Sequence, residues 1–208
     1  MPVRTNTLPD PRHMRRWFRD QSLFIHTWLR SPRKTGAVVP SSRVLARVIA
    51  SQIDPHAKGW VVELGAGTGA MTEMLLHFGI DPKRLLIIER NSRLCDVLRA
   101  RFPELKILHA DAQRLNEILA EQKIEQVNAI VSSLPLLSLP DEVCHKIIAE
   151  IGVVLKSGAF MMQFTYRRGS PIPKEELRAN GLNETRIDTV WRNLPPASVW
   201  KFSAKHPL

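Results

Sequence analysis

Apolar and polar positions follow two different periods along the chain after residue 59. Short apolar runs rich in Val, Ile and Leu predict buried strands, and longer segments with helical spacing of their apolar residues predict helices. The two kinds of segment alternate strictly, which is typical of parallel strands joined by crossover helices that cover both faces of a sheet. The predicted strands are 60–65, 84–90, 105–110, 127–134 and 158–166, and the predicted helices are 69–79, 92–102, 116–122 and 142–155.

The alternation stops after Tyr166. Residues 167–184 predict a surface excursion, and two strands near 185–192 and 197–204 follow it without a helix between them. Two strands in succession indicate an antiparallel pair that closes one edge of the sheet. The predicted fold class is therefore α/β, with seven strands that are mostly parallel.

Length and charge suggest one domain with an appendage. The chain has 208 residues and a formal net charge of +10. Residues 1–59 hold eleven Lys or Arg and three Asp or Glu, whereas the rest of the chain is nearly balanced. We expect the N-terminal quarter to face an anionic partner, either nucleic acid or a membrane. We divide the chain into a basic amphipathic segment with a lid, residues 1–40, and a main domain, residues 41–208.

A helical wheel of residues 12–30 separates large apolar side chains from arginines. Such a helix fits the plane of a membrane interface, where aromatic rings enter the lipid and arginines contact anionic headgroups. The apolar face could instead pack on the protein's own core, and RNA could also attract the charge, although lipid explains the aromatic residues better. We assign membrane contact to Arg15, Arg16, Trp17, Phe18, Arg19, Phe24 and Trp28.

The sequence begins without the apolar stretch of a secretory signal, and no apolar run reaches the roughly 20 residues of a spanning helix. We therefore expect a cytoplasmic protein that is soluble or peripherally bound to a membrane. Cys95 and Cys144 fall in predicted helices without the spacing of a metal site or a disulfide framework, so we expect reduced thiols. The sequence predicts no metal site and carries no signal of oligomeric state.

Three glycines lie where the first predicted strand meets its helix, in the sequence ELGAGTG. In open α/β sheets, ligands bind beyond the carboxyl ends of strands, and glycine lets the backbone approach them closely. Gly65, Gly67 and Gly69 form GxGxG, which differs from the dinucleotide motif GxGxxG, and no Lys-Ser/Thr pair of a phosphate loop follows. Glu89 ends the second predicted strand, where its carboxylate can accept hydrogen bonds from both hydroxyls of a ribose. Asp111 follows the third predicted strand.

The segments VVELGAGTG, LLIIERN, HADAQ and SSLPL resemble, in order and spacing, the class I S-adenosylmethionine-dependent methyltransferases over about residues 58–165. The resemblance implies a Rossmann-like fold and S-adenosyl-L-methionine as the cofactor. It implies that the four segments meet, in order, the methionine end, the ribose, the adenine and the methyl-donor pocket. The residues implied are Glu63, Gly65, Ala66, Gly67 and Gly69, then Glu89 with Arg90 beside it, then Asp111 and Ala112, and finally Ser132 and Ser133.

Pro40, Ser41 and Ser42 precede the main domain. We expect them to form a lid near the cofactor, with Ser41 in contact with it. They could equally be the N-cap of a helix that begins near Arg43.

Ser133, Leu134, Pro135 and Leu136 follow the fourth predicted strand. Methyltransferases that act on exocyclic base nitrogens have Asn or Asp there, then Pro-Pro, Leu-Pro or Ile-Pro, then an aromatic residue that stacks on the base. Leu136 replaces that ring, so the ribosomal RNA adenine dimethylases are a poor functional match. We expect an amine acceptor without an aromatic base, and nucleic acid is disfavoured as a partner.

The stretches WLRSPRKTGAVVPSSRVLA, QFTY and VWRNLPPASVW extend the resemblance to the bacterial phospholipid N-methyltransferases, from about Trp17 to Phe202. Members of that family methylate the amine of phosphatidylethanolamine up to three times, towards phosphatidylcholine. The resemblance implies a phospholipid substrate, an anionic membrane surface as partner and a place at the inner face of the cytoplasmic membrane. An RNA methyltransferase, an ornithine-lipid N-methyltransferase and a non-catalytic membrane sensor remain as alternatives.

Methyl transfer from a sulfonium to an amine requires alignment, desolvation and a neutral amine, but no metal. Tyr166, the only tyrosine, is expected at the carboxyl rim of the sheet, where its phenol could orient the amine or pass its proton on. A half-buried ring with its hydroxyl in water is the alternative. Ser133 and the carbonyl of Leu134 could accept hydrogen bonds from the amine, although Ser133 could instead cap the next turn.

A lipid phosphate requires cations, and guanidinium groups suit it because they offer a rigid fork of donors. The candidates are Arg33, Lys34, Arg167, Arg168 and Arg192. We expect His109 and His145 to be structural.

Overall fold

The structure is a computed structural model that describes residues 40–167, 169–191, 193 and 195–205. The helices are α1 (Pro40–Ala50), α2 (Ala70–His77), α3 (Ser92–Arg101), α4 (Leu115–Glu121), α5 (Asp141–Lys156) and α6 (Lys174–Ala179). The strands are β1 (Trp60–Leu64), β2 (Leu85–Glu89), β3 (Lys106–His109), β4 (Val127–Ser132), β5 (Phe160–Thr165), β6 (Leu182–Val190) and β7 (Ala197–Ala204).

The seven strands form one sheet in the order β3-β2-β1-β4-β5-β7-β6. Strands β1 to β5 pair in parallel, and β7 is antiparallel to both of its neighbours, β5 and β6. This confirms the predicted α/β sheet with an antiparallel pair at one edge. The strand order reverses direction at β1 and β4, and ligands bind at such a switch point in open α/β folds.

The core consists of two apolar layers, one on each face of the sheet. Strand β2, with the sequence LLIIE, is buried at all five positions, as expected for a parallel strand that is covered on both faces. Side chains from α1, α2 and α3 pack on one face, and those from α4, α5 and α6 pack on the other. Cys95 and Cys144 lie in α3 and α5, as predicted, and both are buried free thiols.

Residues 167–184 differ from the predicted surface excursion. They include helix α6, and Ile172 and Leu177 are buried in the core. Pro173 precedes the helix, and two glutamates in its first turn complement the helix dipole, while Leu177 is its one buried anchor. Helix α1 begins at Pro40 rather than near Arg43, which puts Ser41 and Ser42 in its first turn instead of an N-cap. Proline is favoured in the first turn because its missing N–H has no helical partner there.

Candidate cofactor and acceptor site

The turn after β1 brings the backbone close to two neighbouring elements. Gly65 and Gly67 have φ angles of 73° and 59°, in the left-handed region that glycine adopts without strain. The N–H of Gly65 donates to the carbonyl of Ile88, at a distance of 2.9 Å. A Cβ atom on Gly65 would lie only 2.7 Å from Cδ2 of Leu134. The first motif therefore needs glycine for its backbone angles and for its close contact with the turn after β4.

Glu89 lies beside this glycine turn, at the end of β2. Its Oε2 accepts a hydrogen bond from the N–H of Gly67 at 3.0 Å, and its Oε1 accepts one from the N–H of Asn91 at 2.8 Å. The side chain of Asn91 in turn caps α3 by accepting from two of its first backbone N–H groups. Each oxygen of Glu89 keeps a further lone pair, so the carboxylate can still accept from two ribose hydroxyls.

Glu63 is fully buried near the same edge of the sheet. Its Oε2 accepts a hydrogen bond from the hydroxyl of Thr72 at 2.7 Å, while its Oε1 has no partner. Burial raises the pKa of Glu63 to about 8; the hydrogen bond from Thr72 opposes this shift, and the charge of Glu89 adds to it. A positive group next to Oε1 would stabilise the carboxylate. The buried oxygen without a partner therefore fits the ammonium of an amino-acid ligand.

Asp111 and Ala112 follow β3, as predicted. Oδ1 of Asp111 accepts from the backbone N–H of Gln113 at 2.9 Å, which begins a short 3-10 helix. Arg90 and Asp111 form an ion pair, with Nη1 of Arg90 3.7 Å from Oδ2 of Asp111. This pair joins the ends of β2 and β3, but the Arg90 side chain is 75% exposed, so the pair adds little stability. His109 contacts the carbonyl of Arg90 through Nε2 at 3.0 Å, which agrees with a structural role.

The turn after β4 links the acceptor side of the site to β1 and β5. The N–H of Ser133 donates to the carbonyl of Leu64 at 2.9 Å. The carbonyl of Leu134 accepts from Nε2 of Gln163 at 3.0 Å and from the N–H of Leu136 at 2.9 Å. Pro135, with φ −79° and ψ 62°, has the geometry of an inverse γ-turn.

The two hydrogen bonds to Leu134 disagree with its predicted role. A carbonyl oxygen has two lone pairs, and both of those on Leu134 are occupied. The substrate amine would have to displace one of the two donors in order to bind there. The conformation of the turn therefore disfavours the Leu134 carbonyl as the amine acceptor.

By the resemblance described above, Leu136 takes the place of the stacking ring of base-methylating enzymes. Its side chain is only 3% exposed and belongs to the core on the α5 face of the sheet. Leu136 is thus a core residue that presents no flat surface to a ligand.

Tyr166 directly follows β5 and is half-buried. Its ring packs edge to face against Phe164, with the ring centroids 5.7 Å apart. Burial raises the pKa of Tyr166, and a side-chain hydrogen bond with Asn193 opposes that shift. Asn193 is 4% exposed in the loop between β6 and β7, and its Nδ2 donates to the carbonyl of Pro195 at 2.6 Å. Asn193 is therefore the protein side chain next to the phenol.

Several predicted residues lie outside the described part of the chain. They are the membrane set Arg15, Arg16, Trp17, Phe18, Arg19, Phe24 and Trp28, and the cations Arg33, Lys34, Arg168 and Arg192, together with the side chain of Ser41. Arg167 is described, and its backbone N–H donates to Oγ1 of Thr165 at 3.1 Å. His145 pairs with Glu176 at 2.8 Å on the surface of α5, which agrees with a structural role.

Comparisons with known proteins agree with the fold and narrow the class of protein to methyltransferases. Residues 61–158 match a family model described as "Methyltransferase domain". The chain is 28% identical over 185 residues to the ornithine lipid N-methyltransferase of Singulisphaera acidiphila, and this match covers 88% of this chain and 95% of the relative. It is 37% identical over 97 residues to ribosomal RNA small subunit methyltransferase A of Geobacter metallireducens, which covers 44% of this chain and 34% of that relative.

Solved structures share the fold at low sequence identity. The magnesium protoporphyrin IX methyltransferase of Synechocystis PCC 6803, solved with bound S-adenosylmethionine, has a TM-score of 0.62 at 12% identity. The superposition covers 97% of this chain and all of the other. The sheet therefore has the class I methyltransferase fold.

The fold and the matched segment define a methyltransferase domain. S-adenosyl-L-methionine is supported as its cofactor, because the glycine turn, the two buried acids and the free Oε1 of Glu63 fit that ligand. The protein is an S-adenosylmethionine-dependent methyltransferase, and its similarity to the ornithine lipid N-methyltransferase extends over nearly the full length of both chains.

Among the residues that the structure describes, none of the helices combines the length and the apolar character that crossing a membrane requires.

Proposed function

We propose that the protein transfers methyl groups from S-adenosyl-L-methionine to the primary amine of phosphatidylethanolamine and to its mono- and dimethyl forms, towards phosphatidylcholine. The reaction takes place at an anionic membrane surface, to which the basic N-terminal segment binds. The methyltransferase domain indicates methyl transfer from S-adenosylmethionine, and the lipid acceptor is our proposal.

The observation that carries the choice of acceptor is the buried position of Leu136. Enzymes that methylate a base amine hold the base by stacking, and stacking contributes about 1–3 kcal/mol per base. Leu136 is packed in the core at the position of the stacking ring, so this part of the site offers no such surface. A small aliphatic amine needs none.

The cofactor supplies an electrophilic methyl group on a sulfonium. Glu63, Glu89 and the glycine turn would hold it, and the turn after β4, which contacts the glycine turn through Leu134 and Gly65, would lie next to the reacting amine. The amine must be neutral to react, and a dry pocket lowers the pKa of an ammonium. Ser133 and the phenol of Tyr166 are the polar groups that we propose for orienting the nitrogen.

A second acceptor is supported by a specific comparison. The relative that matches along nearly the full length of both chains is named ornithine lipid N-methyltransferase. Phosphatidylethanolamine and an ornithine lipid both present a primary amine close to an anionic group at a membrane surface. Ornithine lipid is therefore the alternative acceptor, whereas RNA is less well supported because the chain spans about a third of the ribosomal RNA enzyme that it matches.

The test is transfer of labelled methyl groups to three acceptors in parallel. Vesicles of anionic lipid contain either phosphatidylethanolamine or ornithine lipid, and total RNA is the third acceptor. Label in methylated phosphatidylethanolamine is the expected result. Label in ornithine lipid alone would change the acceptor but keep the reaction, and label in RNA alone would overturn the proposal.

Membrane binding is tested separately, by sedimentation with anionic vesicles. Replacing Arg15, Arg16 and Arg19 by glutamine should weaken binding by about a hundredfold, since each basic residue near an anionic surface contributes about 1 kcal/mol. The control replaces three exposed cations of the main domain, Lys83, Arg93 and Lys123, and removes the same charge. Equal losses in the two variants would contradict a specific role of the N-terminal segment.

A further inference from the structure

Gln163 connects the turn after β4, residues 133–136, with the last strands of the sheet. We call this turn the acceptor turn. Its position on β5 is paired with Ser132 of β4 on one side and with Trp200 of β7 on the other. Its side chain is buried, and Nε2 donates to the carbonyls of Leu134 and Phe164, at 3.0 Å in each case. Gln163 therefore donates a hydrogen bond to the Leu134 carbonyl, which the sequence had suggested as an acceptor for the substrate amine.

The other polar atom of this amide, Oε1, is buried and has no hydrogen-bond partner. The amide cannot be turned over, because that would direct the oxygen at two carbonyl oxygens. A buried amide oxygen that is left without a partner is destabilising, and such atoms are rare in native proteins. Oε1 shares a carbon with Nε2, so it lies next to the acceptor turn. An unused acceptor thus stands beside the carbonyl of Leu134, whose lone pairs are both occupied.

We propose that Oε1 of Gln163 accepts a hydrogen bond from an N–H of the substrate amine, in the role that the sequence suggested for the Leu134 carbonyl. The inference rests on the proposed function and identifies the methylation steps that the side chain serves. Oε1 is shielded in the ligand-free chain and gains its partner when the headgroup enters, since hydrogen bonds of this kind often form only in the substrate complex.

The chemistry of the three methyl transfers distinguishes binding of the amine by Oε1 from support of the turn by Nε2. In each transfer the lone pair of the neutral nitrogen forms an N–C bond, and the S–C bond of the sulfonium breaks with its electron pair left on sulfur. The first two transfers leave an ammonium that then loses one proton, whereas the third leaves a quaternary ammonium that has no proton to lose. A neutral primary amine has two N–H groups, a monomethyl amine has one and a dimethyl amine has none. Oε1 can therefore hold the amine in the first two transfers, but it has no donor to bind in the third. The Nε2 bond to Leu134 supports the turn, and the Nε2 bond to Phe164 orients the amide, equally in all three transfers.

The experiment compares kcat/KM for phosphatidylethanolamine, its monomethyl form and its dimethyl form in the wild type and in Gln163→Met. Methionine has a similar length and lacks both polar atoms. Loss of the Nε2 bonds should lower all three values alike. Loss of Oε1 should lower the first two values by about a further tenfold, which is the effect of one hydrogen bond. Gln52→Met, in the exposed turn after α1, is the control and should leave all three values unchanged.

An equal loss for all three acceptors, or no loss, would overturn the inference and indicate that Oε1 pairs within the protein. Nε1 of Trp200, a buried donor without a partner opposite Gln163, would then be the candidate. A wild type that methylates no lipid amine would overturn the proposed function as well, so the two failures are distinguishable. If only ornithine lipid is methylated, its partly methylated forms replace the series. If Gln163→Met does not fold, Gln163→Asn replaces it. This variant keeps the amide but places its oxygen one methylene further back, and its kcat/KM values for the three acceptors are compared in the same way.

Discussion

The backbone N–H of Gly67 donates a hydrogen bond to Oε2 of Glu89 over 3.0 Å, although the two residues are 22 positions apart in the chain. The bond joins the glycine turn after β1 to the acid at the end of β2. Because Oε1 of the same carboxylate accepts from Asn91, both oxygens are oriented before any ligand binds. The carboxylate is thus oriented in advance for the ribose hydroxyls that we expect it to bind.

Glu89→Gln should test this arrangement. Glutamine has one acceptor and one NH₂ group, so the NH₂ group would face a backbone N–H. We expect the free energy of unfolding to fall by about 1–2 kcal/mol and the affinity for S-adenosylmethionine to fall by about tenfold or more. Urea unfolding and titration calorimetry measure the two effects, with Glu125→Gln in an exposed loop as the control. Unchanged cofactor affinity would contradict the role of Glu89.

The pKa of Glu63 predicts a pH dependence of stability. Burial raises this pKa to about 8, whereas the same carboxyl group has its ordinary pKa of 4.5 in the unfolded chain. The protonated group therefore contributes its full stability below the unfolded pKa, and this contribution is lost as the pH rises towards 8. The ligand-free wild type should lose stability between pH 5 and 8, and Glu63→Gln should lose less. Urea unfolding at pH 5, 6.5 and 8 measures the difference, and parallel curves would refute it.

The same carboxyl should release a proton when the cofactor binds. A bound ammonium next to Oε1 lowers the pKa of Glu63, so binding at pH 7 should release close to one proton. Calorimetry in two buffers with different ionisation enthalpies measures this number. Glu63→Gln should show no such release, and release from the variant equal to that of the wild type would place the proton elsewhere.

Gly65→Ala should disturb the contact between the first motif and the acceptor turn. The new Cβ would lie 2.7 Å from Leu134, at a φ of 73°. Gly158 is the matched control, because its φ is 98° and no atom lies within 4 Å of its added Cβ. Gly158→Ala should lower the free energy of unfolding by about 1 kcal/mol through backbone strain alone, and Gly65→Ala should lower it by roughly 1–3 kcal/mol more.

Leu134→Ala separates the two parts of this effect. Added to Gly65→Ala, it removes the steric contact and leaves the strain, so about half of the lost stability should return. Chemical denaturation of the four proteins of this cycle measures the coupling. Strict additivity would mean that the two side chains do not meet.

The hydrophobic pattern predicted most of the fold. Strands β1 to β5 begin and end within two residues of their predicted bounds because each is a short apolar run between polar segments. Helix α6 was missed because Leu177 is its one buried anchor, which gives no periodic signal. The position of β7 between β5 and β6 could not be predicted either, because the apolar pattern of a strand does not identify its neighbours in the sheet.

The candidate site could be predicted where the chemistry follows a strand end. The glycines, Glu63, Glu89 and Asp111 belong to this group. Thr72, Gln163 and Asn193 were missed, because each has a partner on a different element of the fold, and the sequence does not show which elements meet. The sequence did contain a signal for Gln163. This residue lies between Met162 and Phe164 in an otherwise apolar stretch of β5, and a buried amide needs a hydrogen-bond partner.

Leu136→Phe should not restore activity on RNA. Leu136 is packed in the core, and a larger ring at such a position forces neighbouring side chains to move, at about 1–3 kcal/mol. The variant should therefore be less stable and should transfer no label to RNA. Thermal unfolding and the RNA arm of the transfer assay measure both outcomes. Transfer to RNA above that of the wild type would mean that residue 136 faces the acceptor.

Tyr166→Phe should lower the rate without changing the pH profile. Burial raises the pKa of the phenol above its usual value, so the hydroxyl stays protonated at neutral pH and acts by hydrogen bonding rather than as a phenolate base. Removing it should lower kcat by about tenfold, as the loss of one oriented hydrogen bond does, while the edge-to-face contact with Phe164 persists. The pH dependence of kcat should keep its shape between pH 6 and 9, because the titrating group is then the substrate amine. If the rise of kcat with pH disappeared in the variant, Tyr166 would be the group that takes the proton, because a base must be deprotonated in order to act.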